Sequence, residues 1–236
     1  MSKRSGYKKF LGLVAAIGLG VMSAGQAQAG YTTINAPATG EQSQAQILSH
    51  SLGGSFHSSG LNLTNGSVTA VRVNDDNDQL FSGKIKSATT LGTFASYTQG
   101  LAIEANHKLT QLFNVKGKGY NAVGEASNID TPKTYEFVRT GTGDDMSSKN
   151  SENADGKDHL VTYLLKGKGI KGTTYVMFFE DKTKQQHSDF DFNDLAVLVK
   201  TGCPTAVPLP AAAWSGLATL AGSALVAGYR KRRQLA

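Results

Sequence analysis

The chain has 236 residues, of which 39% are hydrophobic and 18% are charged, and its formal net charge is +6. The basic charge is concentrated at the two ends: four Lys or Arg lie within residues 1–29, four lie within 230–233, and all 18 acidic residues lie between the ends. The 16 remaining basic residues give the body a net charge of −2. The overall basicity therefore does not indicate a nucleic-acid partner.

The first 29 residues have the pattern of a secretory signal peptide. Four basic residues precede an apolar run from Phe10 to Met22, and Ala27-Gln28-Ala29 follows. Signal peptidase accepts small residues in this arrangement, so we expect cleavage after Ala29. A permanent anchor helix is the alternative, but a 13-residue apolar run is too short to cross a bilayer comfortably.

The C-terminal end predicts a membrane-spanning segment. The linker 201–210 contains the motif Pro208-Leu209-Pro210 and the only cysteine of the chain, Cys203. A single cysteine excludes an intramolecular disulfide. The uncharged stretch 211–229 is long enough for a transmembrane helix at about 1.5 Å per residue. The positive-inside rule places the tail 230–236 in the cytoplasm. A buried core helix is the alternative, which the basic cluster at the end of the stretch disfavours. This cluster consists of Arg230, Lys231, Arg232 and Arg233.

Residues 30–200 are predicted to form one mainly β domain, an antiparallel β-sandwich of jelly-roll type. Short apolar runs alternate there with turn signals rich in Gly, Ser, Thr and Asn. The strand candidates are Ser67–Val73, Tyr135–Arg139, His159–Leu165, Tyr175–Phe179 and Leu195–Val199.

One short helix is predicted near the N-terminus of this domain, from Glu41 to His50. Ala45, Leu48 and Leu52 recur there at spacings of three and four residues, and Gly53-Gly54 can end the helix. We expect this helix to cap the sandwich.

Three further stretches are interpreted as loops or turns. Thr140–Lys157 is polar and predicted to be a long exposed loop. Val115–Gly119 and Leu165–Gly169 share a Lys-Gly-Lys-Gly sequence and are predicted to be hairpin turns. The Gly-x-Gly-x-x-Gly spacing at 167–172 is rejected as a dinucleotide site, because a strand-like run follows where that fold requires a helix.

No catalytic residue emerges from the sequence. The five histidines, at 50, 57, 107, 159 and 187, are scattered without zinc-ligand spacing. No Gly-x-Ser-x-Gly elbow is present, so nucleophilic hydrolysis has no candidate. We therefore expect a protein that is not an enzyme.

The densest group of candidate ligands follows the strand that ends at Phe179. In an extended segment, Asp189, Asp191 and Asn193 would point to one side, and Phe190 and Phe192 to the other. Carboxylate and amide oxygens suit a hard cation, and calcium is the natural one outside the cell. The predicted metal ligands are Glu180, Asp181, Asp189, Asp191, Asn193 and Asp194.

The Asp-x-Asp-x-Asn spacing also opens an EF-hand loop, but this is not one. Asp194 stands where the loop requires Gly, and Lys200 stands where it requires Glu. The alternative to a metal site is a solvated acidic turn whose counter-charges are Lys182, Lys184 and His187.

Other acidic residues are weaker candidates. The clusters at 74–78 and Asp144-Asp145 are explained by turn chemistry. Asp155 and Asp158 would reach the main group only if the strand that begins at His159 pairs with Tyr175–Phe179.

The tail Val207-Pro208-Leu209-Pro210-Ala211, with its apolar stretch and basic cluster, resembles the VPLPA variant of the PEP-CTERM sorting signals. Leu209 stands where the founding motif has Glu. The resemblance implies export in a Gram-negative bacterium that makes exopolysaccharide, after cleavage by signal peptidase. It also implies processing of the tail by an exosortase-type membrane enzyme. The chain would be anchored in the inner membrane before processing, and then reach the cell surface or extracellular matrix.

The body also resembles a family of PEP-CTERM proteins of unknown function, through Gly40–Leu48, Asp158–Tyr163 and Phe179–Leu195. The last of these segments is similar to secreted β-rich modules suspected of calcium binding. The leading hypothesis is therefore a non-enzymatic, calcium-stabilised component of the cell surface or of an exopolysaccharide biofilm.

Two other functions stay open at this stage. A carbohydrate-binding module would need exposed aromatic side chains, for which Tyr31, Tyr97, Tyr120 and Tyr163 are candidates. A secreted hydrolase would need two separated carboxylates in a deep cleft.

Overall fold

The computed structural model describes residues 30–74, 78–183, 186 and 188–202. The predicted signal peptide, linker cysteine, sorting motif, transmembrane helix and basic tail lie outside the described residues, as do Lys184 and His187. Within the described ranges, no helix has both the length and the apolar character needed to cross a membrane.

The described residues fold into one α-helix, α1 (Gln44–Leu52), and two antiparallel sheets. The strands are β1 (His57–Ser59), β2 (Asn62–Thr64), β3 (Val68–Arg72), β4 (Ile85–Gly92), β5 (Gln99–Ala105), β6 (Lys108–Asn114), β7 (Glu125–Ile129), β8 (Glu136–Gly141), β9 (Met146–Ser147), β10 (Leu160–Gly167), β11 (Thr173–Phe179) and β12 (Leu195–Thr201). The large sheet has the order β1-β2-β3-β10-β11-β12-β4-β7, and the small sheet has the order β6-β5-β8-β9.

The two sheets pack face to face through a shared apolar core. Leu101 of β5 and Phe137 of β8 in the small sheet belong to the same buried cluster as Met177 of β11 and Val197 of β12 in the large sheet. The mainly β class and the antiparallel sheets are thus confirmed. A jelly roll has eight strands in two sheets, whereas this fold has eight strands in one sheet and four in the other.

The large sheet is buried on its other face as well. Val176 and Phe178 of β11 point away from the small sheet and pack with Ile47 and Leu48 of α1. Alternate residues of one strand therefore enter two different cores. Burial on both faces explains why β10, β11 and β12 have nearly continuous apolar sequences rather than an alternating pattern.

Helix α1 is confirmed, with its start three residues later than predicted. Ser43 is the N-cap of a capping box: its side chain accepts from the backbone N–H of Gln46, and the Gln46 side chain accepts from the backbone N–H of Ser43. Gly53, with φ of 78°, ends the helix as predicted. The cap forms because Ser and Gln can satisfy the free N–H groups of the first turn.

The five predicted strands correspond to β3, β8, β10, β11 and β12, with small shifts of their ends. The predicted turn at Leu165–Gly169 joins β10 to β11, which confirms that the glycine pattern there is a hairpin. Gly167 has φ of 132°, and a Cβ atom on it would lie 2.2 Å from the carbonyl oxygen of Ser67. At the predicted turn Val115–Gly119, an antiparallel bridge between Lys116 and Val123 closes the loop formed by residues 117–122.

The predicted exposed loop at Thr140–Lys157 is partly wrong. It contains β9 and a 3-10 turn at Asn150–Glu152, and Met146 and Ser148 are completely buried. The Asn153 side chain holds this segment folded: its Oδ1 accepts from the Ser147 N–H at 2.7 Å and its Nδ2 donates to the Lys157 carbonyl at 2.8 Å. The polar sequence of this segment predicted an exposed loop. That prediction failed in part because these polar groups form hydrogen bonds within the protein.

Candidate metal centre

The candidate site lies where β11 ends and β12 begins. Phe179 and Leu195 are paired across these strands, so Glu180 and Asp194 are the first residues beyond the pair. The backbone N–H of Glu180 donates to the carbonyl of His159 at 3.0 Å. The pairing of the His159 strand with β11 is thereby confirmed.

Three carboxyl groups converge at this strand end, and we call Glu180, Asp181 and Asp194 the inner group. One oxygen of each lies within 4.8 Å of the others. Glu180 and Asp181 are each 1% exposed. Asp194 is partly exposed.

Two oxygens of the inner group are buried without a partner. Oδ2 of Asp181 accepts from Nε2 of Gln99 at 2.9 Å, but its Oδ1 and the Oε2 of Glu180 accept no hydrogen bond. Buried polar atoms in folded proteins are nearly always satisfied, and an exception points to a bound ion or water.

A second set of carboxyl groups, the outer group, consists of Glu41, Asp189 and Asp191. One oxygen of each again lies within 4.8 Å of the others. Asn193 adjoins this group: its Nδ2 donates to Oδ2 of Asp191 at 2.5 Å and lies 3.5 Å from Oε2 of Glu41. Oδ1 of Asn193 is buried and has no partner.

The six predicted ligands therefore divide between two neighbouring centres. The sequence reasoning missed Glu41, which precedes α1 and lies far from the others in the chain. Its only sequence signal was its place in Gly40–Leu48, one of the segments that carry the family resemblance.

The predicted extended conformation of the acidic segment is wrong. Phe190 and Phe192 both have φ of 55°, in the left-handed region. Bulky residues rarely adopt this conformation, which costs about 1–3 kcal/mol each and persists only where the surroundings enforce it. Phe192 is completely buried, as predicted for the aromatic side. These two turns direct the carboxyls of Asp189 and Asp191 to Glu41.

Burial and mutual repulsion raise the pKa values of these carboxyl groups. Desolvation first, and then the charge of Asp194, raise the pKa of Glu180 to about 10. Desolvation and the neighbouring Asp181 raise the pKa of Asp194 to about 7. In the outer group, desolvation and Asp189 raise the pKa of Asp191 to about 8. At neutral pH, protons therefore neutralise part of both groups when no cation is bound.

The buried counter-charge of the inner group is Arg139 on β8, which sequence reasoning missed. Its side chain is completely buried. Nε donates to Oε1 of Gln99 at 2.6 Å, and the terminal nitrogens donate to three backbone carbonyls. Burial lowers the pKa of Arg139, and the negative charges of Asp181 and Asp194 counteract this shift more than those of other carboxylates. The available signal was its position at the end of the predicted strand Tyr135–Arg139, which is otherwise mostly apolar. A cation in such a strand would be buried, and a buried cation requires negative partners.

The counter-charges that were predicted lie elsewhere or are not described. The Nζ of Lys182 lies 5.6 Å from the centre of the Tyr97 ring, and Lys184 and His187 are outside the described residues. Arg139 faces the inner group from the small sheet.

The described members of the weaker acidic clusters belong to neither carboxyl group. Asp158 accepts from the hydroxyl of Thr32 at 2.6 Å, and Asp155 contacts Nε2 of His159 at 2.9 Å. Asp144 accepts from Gln186 at 3.0 Å, and Asp78 accepts from Ser151. Their roles are those of turn and loop partners, as the sequence indicated for Asp144 and Asp78, whereas residues 75–77 lie outside the described residues.

A cleft of about 520 Å³ opens beside the outer group, and Asp191 forms part of its wall. Tyr31, which is 39% exposed, and Arg72 also line it. Tyr163 is 2% exposed and donates to Oε1 of Gln44, so it offers no face to water. Tyr120 stacks on His50 at 3.7 Å, and Tyr97 is half-buried. The four candidate tyrosines therefore do not form one flat platform.

No protein-family model matches this chain, and no curated protein matches it. Among solved structures, it is similar to a lectin of Chromobacterium violaceum in complex with alpha-methyl-fucoside. The match has 20% sequence identity and a TM-score of 0.38, and it covers 54% of this chain and 99% of the lectin chain. A likeness of this size carries no argument about function.

Proposed function

We propose that this chain is a non-enzymatic, calcium-stabilised β-sandwich module of the cell envelope. The observation that supports the proposal is the inner group, where three carboxyls converge and two buried oxygens have no partner. Calcium takes six to eight oxygen ligands and tolerates irregular geometry. A strand end that gathers carboxylates in this way suits it.

The charge of the inner group favours a divalent cation. When all three carboxyls are ionised, Arg139 leaves a net charge of −2 in a buried space. A divalent ion neutralises this charge, whereas isolated buried charges are costly. Protons are the competing solution, and the raised pKa values of Glu180 and Asp194 favour proton binding there in the absence of an ion.

The inner group is poorly arranged for hydrolysis. Glycosidase carboxyls flank an open sugar site at about 5–9.5 Å from each other. Here the carboxyl oxygens converge within 4.8 Å, and Glu180 and Asp181 are each 1% exposed. A sugar cannot enter between them, so we assign this group a structural role.

The test is thermal unfolding of the full-length chain, purified in mild detergent, with calcium and with chelator. We expect saturating calcium to stabilise the protein by about 2–3 kcal/mol, which corresponds to about 5–10 °C in Tm for a chain of this size. Glu180→Gln replaces a carboxyl that is protonated without calcium, so it should unfold like the parent in chelator and lose the calcium shift.

Glu125→Gln, an exposed substitution on β7, is the matched control and should keep the full shift. An equal Tm with calcium and with chelator in the parent chain would overturn the proposal.

Export and sorting are the second part of the proposal, supported by the sequence of the two ends. Signal peptidase would remove residues 1–29, and an exosortase-type enzyme would process the tail at Pro208-Leu209-Pro210. Pro208→Ala should then leave the protein in the inner-membrane fraction, whereas Pro204→Ala in the same linker should not. Identical fractionation of the two variants would contradict this role of the motif.

A carbohydrate-binding module associated with the exopolysaccharide is the second candidate function. The observation that favours it is the cleft of about 520 Å³, within the size range of small-ligand sites. Retention of the full-length chain on immobilised exopolysaccharide from a producing strain tests this candidate. Tyr31 is the one exposed tyrosine among the described residues, which is too little for a stacking platform. Another feature of the cleft must therefore supply the affinity.

A further inference from the structure

A second cleft, of about 420 Å³, lies at the opposite end of β11 and β12 from the inner group. The inner group adjoins the pair Phe179 and Leu195. The second cleft is lined by Thr174 and Lys200, which are paired near the other end of the same strands. Five residue steps separate the two ends on each strand, which corresponds to about 17 Å. We call this second site the lysine cleft.

Part of the lining of the lysine cleft is aliphatic. Leu165 on β10 is 2% exposed. Leu52, Ile170 and Leu198 are partly exposed and pack against the core that α1 shares with the large sheet. None of the described residues that line this cleft is aromatic, so a sugar ring would find no stacking surface there. The lining therefore suits a hydrocarbon group better than a saccharide.

Three lysines line the same cleft. Lys86 lies on β4, Lys171 in the connection between β10 and β11, and Lys200 on β12. All three are exposed, and no acidic residue of the described ranges lines the cleft beside them. Lys84, by contrast, pairs with Asp130 at 2.9 Å. The lining therefore has a formal charge of +3, although the body as a whole has a net charge of −2.

Strand pairing places two of these lysines on adjoining strands. Lys200 is paired with Ser87, so Lys86 is one residue away along the neighbouring strand. A Cβ atom on Gly202 would lie 3.4 Å from Cε of Lys86, so the Lys86 side chain lies against the backbone that follows β12. Like charges on adjoining strands repel one another, and an anion bound between them would offset this repulsion.

The described polypeptide reaches its last residue at the edge of the lysine cleft. Thr201 ends β12 and lines the cleft, and the N–H of Gly202 donates to the carbonyl of Lys84 at 2.8 Å. The uncharged stretch 211–229 begins nine residues after Gly202. Nine residues span at most about 30 Å when fully extended. In the anchored form proposed above, the lysine cleft is therefore held close to the membrane.

Charge and apolar character together select the class of partner. An anionic phospholipid carries a phosphate next to hydrocarbon chains, so the lysines can contact the phosphate while the aliphatic lining contacts the hydrocarbon. Each lysine near an anionic bilayer surface strengthens binding about fivefold, and three lysines strengthen it on the order of a hundredfold. An acidic polysaccharide matches the charge but offers no hydrocarbon to the aliphatic lining.

We propose that the lysine cleft docks on anionic phospholipids of the membrane while the chain is anchored there. This inference rests on the proposed membrane anchor and is independent of calcium binding. The contact turns the inner group away from the bilayer, because the two sites lie at opposite ends of β11 and β12. The contact weakens when the tail is processed, because the tether no longer keeps the local lipid concentration high.

The first experiment measures the acetylation rate of individual lysines, by mass spectrometry, in the full-length chain inserted into lipid nanodiscs. The discs contain phosphatidylcholine alone or equal amounts of phosphatidylcholine and phosphatidylglycerol. Acetylation of Lys86, Lys171 and Lys200 should be at least about fivefold slower in the phosphatidylglycerol discs. Lys118 is the internal reference and should react equally in both. It is exposed, and the adjacent Gly119 pairs with Thr93 at the inner-group end of the sheet.

Salt tests the electrostatic nature of this protection without a change of sequence. The screening length falls to about 3 Å at about 1 M salt. The three lysines should then react at similar rates in the two kinds of disc. Protection that persists unchanged at this salt concentration would contradict docking through lysine and phosphate.

The second experiment reverses two charges of the cleft. In the double variant Lys171→Glu with Lys200→Glu, acetylation of Lys86 in phosphatidylglycerol discs should rise to its rate in phosphatidylcholine discs. The double variant Lys116→Glu with Lys118→Glu makes the same change in net charge at the other end of the sheet. It is the matched control and should keep Lys86 protected. Equal protection of Lys86 in the two double variants would overturn the assignment to this cleft.

Two further results would overturn the lipid contact. One is equal acetylation of the three cleft lysines in both kinds of disc. The other is stronger protection by alginate, an acidic polysaccharide, in phosphatidylcholine discs than by phosphatidylglycerol. That result would assign the lysines to a polysaccharide.

Failure of the proposed anchor is distinguishable from failure of the lipid contact. Without the anchor, the chain should elute apart from phosphatidylcholine discs but still with phosphatidylglycerol discs at low salt. Without the lipid contact, it should elute with both and show equal acetylation. Elution apart from both kinds of disc would overturn the anchor and the lipid contact together.

Discussion

The backbone N–H of Asp181 donates to Oδ2 of Asp194 at 2.8 Å, across the adjoining ends of β11 and β12. Asp194 is held from a third strand as well, since its carbonyl accepts from the hydroxyl of Thr93, just after β4. The inner group is therefore built by strand pairing rather than by a flexible loop. Any ion bound there would tie three central strands of the large sheet together.

The stability of the chelated protein should fall as the pH rises. The folded-state pKa values of Glu180, Asp191 and Asp194 are raised above their ordinary values, so the folded state holds protons that the unfolded state has released. This stabilisation is complete below the unfolded-state pKa values and is lost as the pH passes about 7 to 10. The slope is about 1.4 kcal/mol per pH unit for each extra proton.

Urea unfolding in chelator from about pH 5 to about pH 9 measures this slope. Glu180→Gln should flatten it, because the variant has no proton to lose at that position. An unfolding free energy that rises steadily over this range in the parent would be incompatible with the raised pKa values.

Calcium binding should release protons and should strengthen as the pH rises. An ion needs ionised carboxylates, and Glu180 and Asp194 hold protons at neutral pH in its absence. The calcium-dependent rise in Tm should therefore be larger at about pH 8 than at about pH 5. Calorimetry in two buffers of different ionisation enthalpy counts the released protons. Zero proton release at neutral pH would show that the carboxyls were already ionised.

Replacement of Arg139 by Met should destabilise the fold strongly. The substitution removes the buried counter-charge and takes the Arg139 donors away from Oε1 of Gln99 and from the carbonyls of Thr142 and Asp144. Breaking a buried charged network typically costs about 3–5 kcal/mol. Arg139→Lys should also be destabilising, because one ammonium cannot reach all of these acceptors. Urea midpoints give the difference, and Lys166→Met on β10 provides an exposed control.

Replacement of His107 by Gly should stabilise the protein. Asn106 and His107 form the two-residue loop between β5 and β6, and both have positive φ, of 52° and 58°. Asn-Gly is the favoured sequence for such a turn, and a left-handed His costs about 1–2 kcal/mol relative to Gly. We expect Tm to rise by about 2–4 °C. His57→Gly, on β1 with ordinary φ, should not raise it, and a lower Tm for His107→Gly would contradict the turn assignment.

Much of the fold follows from local sequence patterns. β11 and β12 were found because strands buried on both faces are nearly continuous apolar runs. β1, β2, β6 and β7 were missed, since short or solvent-facing strands resemble turns when read alone. β4 and β5 were missed as well, although they contribute several buried residues to the core. β9 was missed for a different reason, because its polar residue, Ser147, is buried and bonds to the side chains of Asn153 and Glu136.

For the candidate site, the sequence by itself determined the chemistry of the ligands. The acids around Asp189 and Asp194 are neighbours in the chain, and their oxygens suit a hard cation wherever they lie. Their division into two groups, and the part of Glu41, were decided only by the tertiary structure. Asn193 and Glu41 meet across 152 residues, and Gln99 and Asp181 across 82. Contacts this distant depend on sheet register and on burial, which sequence patterns of a few residues do not encode.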